Sequence, residues 1–245
     1  MQTEEYGKMR QAEDHYWWFV SRRRLALALL EHFADSRDRI LDVGSGTGGM
    51  LTELQKLGWA GGLDFSPLAI RFCRERELPN LMVGNAEALP LQSEAIDVVI
   101  SLDTLEHVAD DEAAMREIAR ALKPGGVLIL NVPAFKWLWG PHDVALMHHR
   151  RYTRRQISDL LKHHGFKLEK LSYSVFLLFP VVVLIRWLDK FRWGPAKVSL
   201  PKVSGGFNSF LVKLQDMEAR WIMGGSLPWG SSVVAVARKG SDSDG

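Results

Sequence analysis

The chain has a single cysteine, Cys73, in 245 residues, which excludes an intrachain disulfide and fits a reducing compartment, so a cytoplasmic location is expected. It has no excess of one charge. Thirty-one lysines and arginines face 29 aspartates and glutamates, a formal net charge of +2, too little for the sequence-independent attraction that nucleic acid requires; no nucleic-acid partner is expected. A secretory signal is not apparent, because Glu4, Glu5, Lys8, Arg10, Glu13 and Asp14 interrupt the first twenty residues. Nor is there an apolar run of membrane-spanning length. The longest, Val175–Ile185, stops at Arg186 after about a dozen residues, where a spanning helix needs about twenty.

What the chain does have is a stretch on which the rest is organised. Ile40-Leu41-Asp42-Val43-Gly44-Ser45-Gly46-Thr47-Gly48-Gly49 reads as an apolar strand, Arg39 to Val43, then a glycine-rich turn, then a helix to about Leu57 with Met50, Leu51, Leu54 and Leu57 on its inner face. Glycines in such a turn permit positive φ and let a ligand approach the backbone. Gly44, Gly46 and Gly49, with Asp64 ending the next strand, also satisfy a dinucleotide fingerprint, so an NAD-dependent oxidoreductase is one reading. Asp42 argues for the other. A pyrophosphate gains nothing from an adjacent carboxylate, whereas the α-ammonium group of S-adenosylmethionine does, and Asp64 can accept from both ribose hydroxyls.

In sequence order, residues 4 to 33 read as helical, and His15-Tyr16-Trp17-Trp18-Phe19 is either an aromatic face packed on the sheet or a cover over the cofactor. Trp59–Asp64 is a second strand. Ser66 and Pro67 open a helix to about Arg76, and Leu81–Val83 is a third strand. Gly84 to Leu91 forms the loop at its end. Ala95–Ser101 is strand four, with Leu102-Asp103-Thr104-Leu105-Glu106-His107-Val108 leaving its carboxyl end, where open α/β sheets bind ligands. Asp110 or Asp111 caps the next helix, and Leu122-Lys123-Pro124-Gly125-Gly126 leads into strand five, Val127–Val132.

The glycine stretch resembles motif I, D-x-G-x-G-x-G, of the class I S-adenosylmethionine-dependent methyltransferases. Gly84-Asn85-Ala86-Glu87-Ala88-Leu89-Pro90-Leu91 resembles that family's G-D-A-x-x-L-P-[FL] segment, with Asn85 in place of aspartate, and L-K-P-G-G is a further match. The resemblance covers residues 39 to 133. It implies a doubly wound, Rossmann-like α/β sheet of seven strands with strand seven antiparallel, and S-adenosyl-L-methionine as cofactor. The site it implies comprises Asp42, Gly44, Ser45, Gly46, Asp64, Phe65, Asn85, Ala86, Ser101 and Leu102. Asn85 can still accept from the adenine amino group through its amide oxygen. With H-Y-W-W-F and H-x-R-R-Y-T added, the chain resembles a type 11-like bacterial subgroup related to enzymes that methylate quinones, lipids and sugars.

The remaining residues should concern the acceptor. Phe135 to Tyr152 is an aromatic, histidine-rich loop. His142, His148 and His149 with Asp143 are conceivable metal ligands, but the loop offers too few carboxylates for metal-dependent O-methylation, and no metal is expected. A general base for a hydroxyl acceptor suits the loop better, with His149 first, His107 as rival and Asp143 beside them; catalysis by positioning alone is the alternative. Arg150, Arg151, Arg154 and Arg155 crowd the start of a helix capped by Thr153 and Gln156 and stopped by Gly165, and an anion would relieve that charge.

Four segments are expected: an N-terminal cover, 1–36; a methyltransferase domain, 37–174 and 231–239; a helical insertion, 175–230, between strands six (166–174) and seven (231–238); and a disordered tail, 240–245. In the insertion, Trp187, Phe191 and Trp193 accompany Arg186, Lys190, Arg192, Lys197 and Lys202, and Phe207, Phe210, Leu211, Leu214, Met217, Trp221 and Ile222 form an apolar helical stripe. Such a surface docks on the anionic inner face of a membrane, pairs with a second copy in a homodimer, or closes over an apolar or lipid-linked acceptor. A non-catalytic cofactor-binding or membrane-docking module is a third functional reading.

Overall fold

Seven strands form one sheet in the order β3-β2-β1-β4-β5-β7-β6 in a computed structural model that describes residues 3–189, 201 and 203–240. The strands are β1 (Arg39–Val43), β2 (Trp59–Asp64), β3 (Leu81–Val83), β4 (Ile96–Leu102), β5 (Leu122–Pro133), β6 (Phe166–Ser174) and β7 (Ser232–Lys239). The first five pair in parallel, and β7 runs antiparallel between β5 and β6. This is the expected fold. Strands β1 and β4 are buried but for Arg39 and Leu102 at their ends, as a sheet covered on both faces requires. The chain reverses direction on either side of β1, so the crevice at the carboxyl ends of β1 and β4 is the topological switch point.

Helices cover both faces: α1 (Thr3–Ala12), α2 (Trp17–Phe33), α3 (Gly49–Leu54), α4 (Pro67–Glu75), α5 (Asp111–Ala121), a short α6 (Pro141–Ala145), α7 (Arg154–His163), α8 (Phe179–Asp189) and α9 (Gly205–Gly224). Ser66 accepts from Ala69 N to cap α4, Asp110 accepts from Ala113 N to cap α5, and Thr153 with Gln156 forms a reciprocal capping box on α7. Gly165, at φ +77°, ends α7 in a conformation that side chains resist. Leu29, Leu30, Leu51 and Leu54 are fully buried on one face of the sheet, each contributing about 1.5–3 kcal/mol of burial.

Three segments differ from the reading by periodicity. The single helix expected over residues 4 to 33 is two, broken between Glu13 and Tyr16. One straight rod could not lay Tyr6 and Met9 on the glycine-rich turn and also Leu25 and Leu29 on the sheet, and the break lets the Glu13 side chain turn inward. Helix α3 stops at Leu54 rather than near Leu57, whose side chain is exposed where the chain tightens toward Gly58 and β2. Strand β5 begins at Leu122, because Ile96 of β4 already pairs with Leu122 ahead of the irregularity that contains Gly125 and Gly126.

Between β6 and β7 lie α8 and α9. Helix α9 rests on α2: Trp17 N donates to Asn208 Oδ1 at 2.8 Å, Arg24 pairs with Asp216 at 2.6 Å, and Leu211 and Ile222 are buried. Its other face, with Phe207, Phe210 and Trp221, stands in solvent, as do Val181, Leu184, Ile185, Trp187 and Leu188 of α8. No helix among the described residues is long and apolar enough to cross a membrane. Lys190, Phe191, Arg192, Trp193, Lys197 and Lys202, and the tail beyond Gly240, lie outside the described residues.

The insertion is sewn to the sheet where Gly230 passes Ser174. A Cβ at Gly230 would meet the Ser174 backbone, which has no rotamer to yield. Gly230→Ala should therefore lower unfolding stability by about 1–3 kcal/mol, read as a reduced urea midpoint. An unchanged midpoint would mean the two strand ends separate freely.

Candidate active site

The backbone turn after β1 is shaped for a ligand that needs negative charge. Gly44 adopts φ +80° beside Thr104, whose hydroxyl donates to Val43 O at 3.1 Å, so the loop after β4 is fastened directly to the glycine-rich turn. Asp42 is 1% exposed, and its Oδ2 has no hydrogen-bond partner; the neighbouring Ser45 Oγ has none either. Burial, with Asp64 adding and Arg22 opposing, pushes the Asp42 carboxyl up to about 7. Asp64 accepts from Gly46 N and Ser66 N, both at 2.9 Å, and the Tyr6 hydroxyl bonds to it; burial raises its pKa as well.

The N-terminal segment supplies a third carboxylate. Glu13 accepts from Gly49 N at 3.1 Å, from the Thr47 hydroxyl and from Arg76 Nη2 at 2.6 Å, so the positive end of α3 is already occupied by an anion of the chain itself. Met9 lies against Gly46. The N-terminal segment thus lies over the glycine-rich turn through Tyr6, Met9 and Glu13 of α1 and the break after it. None of the three was singled out by sequence, since no local periodicity marks a side chain whose partners lie 34 to 36 positions away. Trp17 and Trp18 line a neighbouring cleft with Arg22, Asn131, Gln215 and Ser232, with about 30 Å³ of free space, roughly one water.

Arg22 connects the two halves of the site. Its guanidinium pairs with Asp103, which also accepts from Asn131 Nδ2 at 2.6 Å, and it feels the charges of Glu106 and Asp42. Its Nε is buried without a partner. Among the remaining residues implied by motif, Ser101 and Ala86 are buried and Leu102 is half-buried at the sheet end. Asn85 is exposed in a turn where its Oδ1 accepts from Glu87 N, and the Phe65 ring is 78% exposed next to Asp64.

The histidine loop sorts itself by burial. His149 is exposed, and only its backbone reaches inward, donating to Glu106 O at 2.8 Å. His148 is turned in, with Nδ1 2.9 Å from Asp143 Oδ1 and its ring centroid 4.6 Å from that of His107. Asp143, fully buried, also takes Arg151 through Nε at 2.7 Å and Nη2 at 3.1 Å, and Gly140 N at 2.8 Å. Burial would raise its pKa, but His148 and Arg151 hold it well below the usual carboxylate range. Asp143 therefore orients other side chains. Burial drives His107 down to about 3, with His148 adding, so His107 is neutral; beside it stand His148, weighed in sequence only as a metal candidate, and Glu106, to which the sequence assigned no role.

The four arginines have partners within the chain. Arg150 pairs with Asp111, Arg151 with Asp143 and Arg155 with Asp159, and Arg154 stacks 4.9 Å from the Tyr173 ring centroid. The anion that the crowded helix start called for is supplied by these carboxylates and one aromatic face.

A doubly wound sheet with a carboxylate-ringed glycine turn at its switch point defines a class I S-adenosylmethionine-dependent methyltransferase architecture. Residues 41–130 match the family model described as a methyltransferase domain. The chain is 28% identical over 165 residues to a probable S-adenosylmethionine-dependent methyltransferase of Mycolicibacterium smegmatis, covering 64% of this chain and 62% of that protein. A demethylmenaquinone methyltransferase of Mycobacterium marinum is 33% identical over 119 residues, 48% of each chain. The chain thus spans about half to three fifths of the length of these curated relatives. In fold it is similar to an S-adenosylmethionine-dependent methyltransferase of Thermotoga maritima, with a TM-score of 0.62 and 20% identity over 96% of this chain and 95% of that one.

Cofactor affinity should follow the charge of Asp42. A carboxyl whose pKa stands near 7 is protonated below it and cannot compensate an ammonium group, so affinity falls with falling pH and levels off above. S-adenosylhomocysteine should bind about tenfold more weakly near pH 6 than near pH 8. Asp42→Asn should flatten that profile and bind weakly throughout. A steep profile surviving in Asp42→Asn would assign the dependence to another group.

Proposed function

We propose that the chain transfers a methyl group from S-adenosylmethionine to a hydroxyl of an apolar, quinone-like or lipid-linked acceptor. The observation that carries the cofactor half is the Glu13 carboxylate on the first turn of α3, together with the unpartnered Asp42. A dinucleotide would have to set its pyrophosphate on that same helix end, against three carboxylates, so the oxidoreductase reading is disfavoured. A zwitterionic amino acid fits instead. Asp42 and Ser45 would receive its ammonium group, the free Nε of Arg22 its carboxylate, and Asp64 the ribose diol once the Tyr6 hydroxyl gives way. The exposed Phe65 ring and the Asn85 amide would take the adenine.

Bound S-adenosylmethionine supplies a methyl group already activated on a positively charged sulfur. The reaction breaks the S–CH3 bond, forms an O–CH3 bond and releases the hydroxyl proton. The chain must align the acceptor and exclude water. Arg22 and Asp103 fix the loop after β4, Trp17 and Trp18 close the cleft against α9, and the Glu106, His107 and His148 cluster, rich in acceptors, draws the proton away. His149, on the surface, is less suited to this role than the inward His107.

Two features support an apolar acceptor: the tryptophan-lined cleft, and the solvent-facing apolar residues of α8 and α9, which suit an acceptor drawn from a lipid surface or, in a second reading, a contact between two copies. The demethylmenaquinone methyltransferase of Mycobacterium marinum is consistent with a quinone-like ring.

Calorimetry should show S-adenosylhomocysteine binding and no NAD binding, and the reverse would end this reading. Arg22→Met should weaken the cofactor by an amount on the order of 1.5–3 kcal/mol. Incubating lipid and quinone extracts with the chain and labelled S-adenosylmethionine should yield a product heavier by one methyl in mass spectrometry. Cofactor binding with no labelled product from extracts that contain the natural acceptor would favour a non-catalytic module.

A further inference from the structure

The loop after β4 and the histidine loop after β5 meet in a group of side chains that offer only lone pairs. Glu106 is fully buried, and neither of its carboxylate oxygens has a hydrogen-bond partner. His107 gives a ring hydrogen bond to the Leu146 backbone, while its Nδ1 is buried and unpartnered. His148 has Nδ1 engaged by Asp143, which leaves Nε2 facing Glu106 Oε1 at 3.9 Å. One ligand atom from each of the three lies within 4.8 Å of the others. No hydrogen bond reaches either Glu106 oxygen or His107 Nδ1, and with only the charges of Arg22 and Arg151 acting on the carboxylate, the buried group calls for a proton or a cation between its members.

We infer that Glu106, His107 and His148 form a binding site for one divalent transition-metal ion, with a coordination position left open for an acceptor oxygen. Two imidazoles and a carboxylate are a set that binds zinc and its neighbours in the first transition row. Two ligand atoms about 2.0–2.1 Å from a tetrahedral zinc stand roughly 3.4 Å apart. His148 Nε2 and Glu106 Oε1, at 3.9 Å, need a movement of a few tenths of an ångström from each side, and the set as a whole, spread within 4.8 Å, closes by rotation of its side chains. The outer contacts are those a ligating histidine requires: Asp143 fixes the tautomer of His148, itself held by Arg151, and the Leu146 backbone fixes His107.

The histidine loop alone is too poor in carboxylates to suggest this site. Glu106 comes from another loop, and His142 and His149 take no part.

The ion's role rests on the methyl-transfer reading, but its binding does not. An acceptor hydroxyl on the open position would ionise near neutral pH and lose its proton to solvent, since the ligand nitrogens are then occupied. The alkoxide or phenolate oxygen would form the bond to the methyl group as the sulfur keeps the electron pair of the broken bond.

The test uses the untagged full chain, stripped of metal and titrated with Zn²⁺ by calorimetry, with metal content measured after dialysis. One equivalent is expected. Glu106→Gln and His148→Gln should each lower zinc affinity at least tenfold, and Co²⁺ in the wild-type chain should give the visible absorption of a low-coordinate site that both variants lose. S-adenosylhomocysteine affinity, measured alongside, should remain in both variants and shows that the fold is intact. Failure to bind S-adenosylhomocysteine in the wild-type chain would count against the methyltransferase reading alone. No zinc uptake by the wild-type chain, or uptake equal in wild type and both variants, overturns the metal site and leaves a proton as what fills the cluster.

Discussion

Glu13 sits on the amino terminus of α3, and much of the site depends on that contact. A buried carboxylate in this position satisfies Gly49 N and the Thr47 hydroxyl, draws in Arg76 and bends the N-terminal helix so that α1 lies over the glycine-rich turn. It also makes the turn electronegative where many doubly wound proteins present their most electropositive backbone. Asp42 and Asp64 stand within the same low-dielectric pocket, where burial raises the pKa of both and the charge of Asp64 raises that of Asp42 further. A cationic ligand completes it.

A second buried carboxylate, Glu106, lies in the loop after β4. Arg22 stands between the two acidic groups, feeling Asp42 on one side and Glu106 on the other while paired with Asp103. The cofactor turn and the Glu106 cluster are therefore electrostatically linked through one guanidinium.

The sheet and the glycine turn are common to a family whose members act on chemically unrelated acceptors, and a shared fold carries no information about the atom methylated. What distinguishes this chain lies between β6 and β7. Glu218, buried in α9, accepts from Phe176 N and Leu177 N, and α9 in turn rests on α2, so the insertion is anchored to the N-terminal cover rather than loosely attached. Their shared cleft is almost closed, with about 30 Å³ of free space.

Sequence alone determined the parts of this protein that rest on local rules. Strand and helix positions followed from apolar periodicity and from caps such as Ser66, Asp110 and Thr153, and the candidate cofactor site at Asp42, Gly44 and Asp64 from a motif in which chemistry and spacing coincide. Only tertiary structure decided which side chains share charge across long separations. The break at Glu13, the inward turn of His148 rather than His149, the neutralisation of Arg150 and Arg151 by Asp111 and Asp143, and the meeting of Glu106 with His148 each join segments whose approach no periodicity encodes. The physical reason is desolvation: a carboxylate or imidazole has its ordinary properties in the sequence, and burial beside particular neighbours gives it new ones.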